Sequence, residues 1–213
     1  MAWIINYLQY GLGRLFYSIR GHDSRQFVLC PAFKYFPQPN MTLESIECGE
    51  SGSSLLNHHT CLADDSDGQF PELRWTAPPT GEVKEYALIC EDLDLPIPGL
   101  VIHHGFFFNI PPTTTTACHT DIIPQEANIS AHVTNSGWTY IPNLKGTSYI
   151  GAAPPLGHGS HRYVFTIIAL DRPLNFSSHD KITKEQMKDA MIGKVMGWGQ
   201  WTGVFERPWS EYA

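Results

Sequence analysis

The sequence predicts a mostly β fold, an antiparallel β-sandwich with a few peripheral helices. Three observations support this prediction. Several segments of strand length are rich in Val, Ile, Phe and Tyr, and 18 glycines and 16 prolines punctuate the chain around them. Only two segments show clear helical periodicity. A chain of 213 residues has the size of one domain, so one sandwich accounts for nearly all of it.

The first predicted element is an amphipathic helix. No basic region precedes its apolar residues and no small-residue cleavage site follows them, so the segment does not resemble a signal peptide. Helical spacing relates seven residues: Ile4, Leu8, Gly11, Leu12, Leu15, Phe16 and Ile19. We expect residues 1–22 to form a helix packed on the domain or on a second subunit. Residues 23–213 then form a single β domain.

The remaining elements follow in order. Strands are predicted at residues 41–48, 70–75, 84–91, 101–110, 147–151 and 197–206, with long loops at 20–40 and 49–68. Residues 161–171 are apolar on both faces, which is typical of a central strand covered on both sides. Residues 183–195 form the clearest helix, since Thr183 and Gln186 have capping-box spacing.

Charge and cysteine content restrict the partners. The formal net charge is −7 and the isoelectric point is near 5.7, which disfavours nucleic acid and anionic lipid surfaces. No segment predicts integral membrane association. Five scattered cysteines without a CxxC pair are typical of a reducing compartment, so we expect a cytoplasmic protein.

An acidic segment, residues 91–96, ends the strand at 84–91. Asp92 and Asp94 are spaced i, i+2, so at a strand end their carboxylates point the same way. This arrangement suits a metal, a hydrogen-bond frame or an acid/base pair. The alternative is an ordinary turn, in which Asp and Pro are favoured for backbone reasons.

Two histidines interrupt the apolar strand at 101–110. His103 and His104 face opposite sides of the strand, so only one of them faces a given pocket. An imidazole among apolar residues needs a polar partner, and Asp92 is one candidate. The alternative is a core histidine bonded to a carbonyl group.

A glycine-rich segment, residues 157–163, leads into the predicted central strand. Gly157 and Gly159 flank His158 and allow backbone N–H groups to approach an anion. Arg162 enters a buried strand, so it needs either a bound anion or a carboxylate such as Asp92 or Asp94. A zinc site at His158 and His161 with His103 or His104 has only spacing in its favour, and a site at residues 58–61 has still less. We therefore predict neither a metal nor a cofactor.

Together these segments resemble the phosphatidylethanolamine-binding-protein (Raf kinase inhibitor-like) family. Residues 91–96 resemble its D-P-D-x-P box, residues 157–163 its G-x-G-x-H-R box, and His103-His104 its histidine strand. Residues 20–23 and 192–199 resemble the fungal branch of the family. Two positions depart from the pattern: Leu93 replaces a proline, and Ile102 replaces an aromatic residue.

The resemblance implies a family-type β-sandwich with one small anion-binding pocket, in which Arg162 pairs with the acidic box. We expect catalytic roles for Asp92, His104, His161 and Tyr163. We expect ligand-binding roles for Asp94, Pro155, Gly157, His158, Gly159 and Arg162. The expected ligand is a small dicarboxylate or phosphate.

Two functions remain open at this point. Fungal relatives are implicated in maleidride pathways, so the resemblance implies an enzyme that couples and cyclises maleic-anhydride or dicarboxylate polyketide monomers by acid/base chemistry and anion stabilisation. The alternative is a non-enzymatic protein that binds phosphate or phospholipid head groups, or modulates a kinase or protease. Pocket volume separates the two, because a cyclase must admit two monomers. We also expect a homodimer or a heterodimer with a homologue.

Overall fold

Two antiparallel β-sheets pack face to face in the computed structural model, which describes residues 2–126, 132–176, 181–207 and 209. The strands are β1 (Leu43–Ser45), β2 (Leu73–Trp75), β3 (Glu85–Asp92), β4 (Ile102–Ile110), β5 (Thr116–Ala117), β6 (Thr139–Tyr140), β7 (His161–Leu170) and β8 (Val195–Phe205). The sheet orders are β1-β2-β5 and β6-β4-β3-β7-β8. The α-helices are α1 (Ala2–Leu15), α2 (His119–Ile122) and α3 (Lys184–Ala190). The predicted β-rich fold class is confirmed.

The five-stranded sheet is covered on both faces. On one face, Phe165 and Ile167 of β7 pack with Trp75 of the smaller sheet. On the other face, Ile168 packs in a second cluster with Met187 of α3. Since β7 lies between β3 and β8, the prediction of a central, doubly covered strand is confirmed.

Helix α1 begins as predicted but ends at Leu15, before the predicted end at residue 22, and most of its apolar stripe is exposed. The exposed fractions are 46% for Ile4, 63% for Leu8, 56% for Leu12 and 71% for Leu15. Gly13 is the buried residue among those helix residues whose burial is described. Packing of the exposed stripe on a second subunit remains a prediction. Among the described residues, no helix has the length and hydropathy of a membrane span.

Some predicted boundaries are wrong. Residues 147–151 do not form the predicted strand; Tyr149 makes an isolated bridge with Gly105, and Ile150 N donates to the carbonyl of His104. Helix α3 has the predicted capping box but ends at Ala190, where Met191 caps it. The short elements β5, β6 and α2 were not predicted.

Candidate functional site

The candidate site lies where β3 ends and β7 begins. Asp92, the last residue of β3, is directly opposite Tyr163 of β7. His161 precedes Tyr163 by two residues, so the two side chains lie on the same face of the sheet. All three side chains are buried. The acidic segment also forms a turn, because Asp92 Oδ1 accepts a hydrogen bond from Asp94 N at 2.8 Å.

A chain of hydrogen bonds links Asp92 to the N-terminal segment. His161 Nδ1 lies 2.9 Å from Asp92 Oδ2, and His161 Nε2 lies 2.7 Å from His158 Nδ1. His158 Nε2 in turn lies 2.9 Å from the carbonyl oxygen of Phe16. Both imidazoles are fully buried, so their protons are set by these partners rather than by solvent.

Hydrogen bonding sets the tautomer of His158. The carbonyl of Phe16 can only accept, so His158 Nε2 carries a proton. Burial lowers the pKa of His158 and favours its neutral ring, so its Nδ1 accepts a hydrogen bond from His161 Nε2.

His104 occupies a β-bulge in β4. Cys90 of β3 pairs with Gly105, while the next residue, Glu91, pairs with His103, so His104 is the extra residue. Its Nδ1 donates to the carbonyl of Ile150 at 2.7 Å, which leaves Nε2 with a bare lone pair. His103 contacts the carbonyl of Pro142 instead, at 3.1 Å. As predicted, the two histidines have different surroundings.

Two buried polar atoms of this site have no hydrogen-bond partner among the described residues: His104 Nε2 and Tyr163 Oη. Their rings meet edge to face with centroids 5.0 Å apart. Burial lowers the pKa of His104 and raises the pKa of Tyr163 well above its usual value. At neutral pH the site therefore places a proton acceptor beside a hydroxyl donor.

Arg162 is bound by carboxylates. Its Nε donates to Asp94 Oδ2 at 2.8 Å and its Nη2 to Asp94 Oδ1 at 2.9 Å, while Nη1 donates to Asp23 Oδ1 at 2.8 Å. Burial opposes the ionisation of Asp94, but hydrogen bonds from Arg162 and from Gly21 N outweigh it and lower the pKa of Asp94 to about 2. Asp94 and Arg162 were both predicted to bind the ligand, and in this structure they pair with each other.

Comparison with known proteins identifies the family. The family model described as phosphatidylethanolamine-binding protein matches residues 45–206, which is most of the chain. This chain belongs to the phosphatidylethanolamine-binding-protein family.

Relatives and solved structures agree with this assignment. A phomoidride biosynthesis cluster protein B from Fungal sp. (strain ATCC 74256) is 35% identical over 98% of this chain and 99% of its own length. A protein of the same description from Talaromyces stipitatus is 37% identical over 99% of this chain and 85% of its own length. The fold matches a family homologue of Chlamydia trachomatis with a TM-score of 0.62 at 24% identity, over 80% of this chain and 100% of that one. YbcL of E. coli matches with a TM-score of 0.61 at 23% identity, over 79% of this chain and 99% of that one.

Helix α1 precedes the family match and covers the glycine-rich box. A Cβ atom on Gly13 would overlap the carbonyl of Leu156 and lie 2.7 Å from His158 N. Gly157 has a φ of 81°, and a Cβ there would lie 2.6 Å from the carbonyl oxygen of Tyr10. Glycine at these positions therefore allows the N-terminal segment to lie against the box.

The segment after α1 binds both family boxes, and the sequence did not predict these contacts. Arg20 Nη2 donates to the carbonyl of His158, and Gly21 N donates to Asp94 Oδ1 at 2.9 Å. His22 N donates to the carbonyl of Leu93 at 2.9 Å. Gly159 has a φ of 87° and lies beneath the Arg20 side chain. The resemblance of residues 20–23 to fungal members of the family indicated that this segment matters. The sequence around these residues did not indicate which residues they contact.

A cleft of about 340 Å³ lies between α1 and the strand ends. Its lining consists of Gln9, Leu12, Gly13, Phe16, Pro96, Pro155, Leu156 and Arg207. Of the site residues predicted from the sequence, Pro155 lines this cleft. The four predicted catalytic residues do not line this cleft, and each is at most 4% exposed.

Proposed function

We propose that this protein acts in fungal secondary metabolism as a non-redox cyclase that couples maleic-anhydride or dicarboxylate monomers into a maleidride ring. Two relatives named for phomoidride biosynthesis match nearly the whole chain at 35% and 37% identity, which supports the pathway. The observation that supports the chemistry is the buried pair of partnerless atoms, His104 Nε2 and Tyr163 Oη.

The proposed reaction starts with proton abstraction. The lone pair of His104 Nε2 takes a proton from the saturated carbon attached to the ring double bond of the anhydride, which breaks a C–H bond and forms a dienolate conjugated with the anhydride carbonyl. Tyr163 Oη donates a hydrogen bond to the oxygen on which negative charge develops. The dienolate carbon then attacks an unsaturated carbon of the second monomer and forms the new C–C bond. His104 returns its proton to the product, so the step needs no oxidant and no redox cofactor.

The hydrogen-bonded chain of Asp92, His161 and His158 lies beside the proposed oxyanion donor. The rings of His161 and Tyr163 are stacked, with centroids 6.5 Å apart. Polar groups held in place in a buried site stabilise a developing enolate much more than they would in water. Asp94 and Arg162 act indirectly in this proposal, by holding the ends of β3 and β7 together.

Substrate entry requires the N-terminal segment to move. The cleft beside α1, about 340 Å³, lies at the lower end of the range for small-molecule pockets and suits one dicarboxylate monomer. His104 and Tyr163 are buried and do not line this cleft, and the backbone of Phe16 is bonded to His158. We propose that displacement of the segment around Phe16 joins the cleft to the buried pair and makes room for a second monomer.

The competing function is binding of a phosphate or phospholipid head group without catalysis, which the family description favours. A thermal-shift titration separates the two. A ligand at 100 times its dissociation constant adds about 2.7 kcal/mol, which raises the melting temperature of a chain of this size by about 5–10 °C. A shift with maleate-type dicarboxylates supports the cyclase, and a shift with phosphate or phosphoethanolamine alone supports the head-group binder.

The decisive experiment measures product formation from maleic-anhydride monomers in the wild type, His104→Gln and His103→Gln. His103 is the matched control because it is the neighbouring histidine and contacts Pro142 rather than the site. We expect His104→Gln to lose at least 100-fold in rate while His103→Gln retains most of it. Equal rates in the two variants would contradict the role of His104 as the base. If the wild type forms no product, the proposed reaction is wrong. Cytoplasmic location and pairing with a homologue remain predictions.

A further inference from the structure

A second cluster of chemically active side chains lies away from the family boxes. Glu47 follows β1, and His58 and His59 lie on the long loop between β1 and β2. One ligand atom from each of the three lies within 4.8 Å of the other two. The sequence placed the two histidines in a loop without further ligands; folding brings the carboxylate to them.

The buried histidine of this cluster has an unpartnered ring nitrogen close to the carboxylate. His59 Nδ1 donates to the carbonyl of Gln69 at 3.1 Å, so Nε2 is the unprotonated nitrogen of the neutral ring. His59 is 1% exposed, and Nε2 has no hydrogen-bond partner among the described residues. It lies 3.3 Å from Glu47 Oε2. Two acceptors lie close together there, and a shared cation makes their contact favourable.

The spacing of the ligand atoms suits a metal ion. The second carboxylate oxygen, Glu47 Oε1, lies 3.7 Å from His58 Nε2. Ligand atoms around a tetrahedral zinc ion, with bonds of about 2.0–2.2 Å, are separated by roughly 3.3–3.6 Å. Each histidine therefore lies near zinc-site distance of one oxygen of Glu47, and small side-chain rotations would bring the three ligand atoms, now within 4.8 Å of one another, around one ion.

Two hydrogen bonds hold the ligands in place. The Gln69 carbonyl fixes the tautomer and orientation of His59, as the outer partners of zinc-bound histidines do. Glu72 N donates to Glu47 Oε2 at 2.8 Å and orients the carboxylate. Beside Glu47 and His59 lies a cleft of about 190 Å³, which offers room for a water molecule as the fourth ligand.

We infer that Glu47, His58 and His59 bind one divalent transition-metal ion of the zinc type, with water as the fourth ligand. The ion links the end of β1 to the loop that carries both histidines. Because Ala152 N donates to the carbonyl of His59, the same loop supports the chain that leads to Pro155. The site is independent of the proposed cyclase reaction.

The test is a calorimetric titration of the full chain with zinc chloride after treatment with a chelator. We expect one zinc ion per chain in the wild type and a rise in melting temperature on binding. Glu47→Gln keeps the shape of the side chain and removes its charge, and His58→Ala removes a side chain that is 45% exposed, so both variants should fold. Each should weaken zinc binding at least tenfold.

The matched control is Glu44→Gln, which removes an exposed carboxylate of β1 that pairs with Arg74 at 3.0 Å. Its zinc affinity should equal that of the wild type. The inference is overturned if wild type shows no saturable zinc binding. It is equally overturned if Glu47→Gln binds zinc as wild type does, or if Glu44→Gln weakens binding as much as Glu47→Gln.

Discussion

Arg162 and Asp94 form a two-pronged ion pair, with Nε to Oδ2 at 2.8 Å and Nη2 to Oδ1 at 2.9 Å. The pair joins the start of β7 to the turn after β3, one residue from His161 and two from Asp92. Asp23 of the N-terminal segment binds the remaining side of the guanidinium. One arginine thus ties both family boxes to the segment that covers them.

Replacing Arg162 with Gln should destabilise the fold. Asp94, 3% exposed, would keep only its backbone donors and remain a buried charge without a cation. Because Arg162 is 36% exposed, we expect a loss of about 2–3 kcal/mol, below the range for fully buried pairs. Urea unfolding measures it. Arg172→Gln breaks an exposed pair with Asp171 and should cost under about 0.5 kcal/mol; equal losses in both variants would contradict the structural role of Arg162.

Replacing Tyr163 with Phe should separate activity from stability. The variant removes a buried hydroxyl without a partner, so the protein should be as stable as wild type or up to about 2 kcal/mol more stable. Loss of one oxyanion donor should lower the rate by roughly 100- to 1,000-fold. Thermal unfolding and the product assay measure the two effects. A strongly destabilised variant would show that the hydroxyl has a protein partner.

Stability should fall as the pH drops below about 6.5. Burial lowers the pKa of five imidazoles from the unfolded value of 6.5: His59, His103, His104, His119 and His158. The unfolded chain then takes up protons before the folded one, so stability is complete above pH 6.5 and is lost below it. Urea unfolding at pH 7.5, 6.5 and 5.5 measures the slope. His104→Gln should reduce it by up to about 1.4 kcal/mol per pH unit, and an unchanged slope would contradict a neutral, buried His104.

A methyl group on Gly13 should detach α1 from the glycine-rich box. The added Cβ would overlap backbone atoms of Leu156 and His158, which cannot move aside as a flexible side chain would. Gly13→Ala should therefore increase hydrogen exchange and proteolysis in residues 2–23.

The control for this variant is two residues away on the same helix. Apart from the backbone of α1 and the two neighbouring residues, no atom in the described part of the chain lies within 4 Å of the position that a Cβ on Gly11 would occupy. Gly11→Ala should therefore stabilise α1 by about 0.5–1 kcal/mol. Equal protection of residues 2–23 in the two variants would contradict the close contact at Gly13.

The sequence predicted that Asp92, His161 and Tyr163 lie close together, because all three belong to motifs that resemble the family, and the structure brings them together. Their roles remain predictions. The sequence did not predict the bulge at His104, since a bulge depends on the register of two strands. Contacts between residues far apart were also missed: Phe16 with His158, and Glu47 with His59. Neither leaves a local pattern, because periodicity reports burial and not the identity of a distant partner.

The most direct test of the central claim isolates proton abstraction from coupling. A single maleic-anhydride or dicarboxylate monomer is incubated with the protein in deuterium oxide, and loss of its acidic C–H proton is followed by NMR. The proposed base predicts that the wild type and His103→Gln accelerate exchange and that His104→Gln does not. Exchange no faster than in the absence of protein, or equally fast with His104→Gln, would contradict the assignment of His104 as the base.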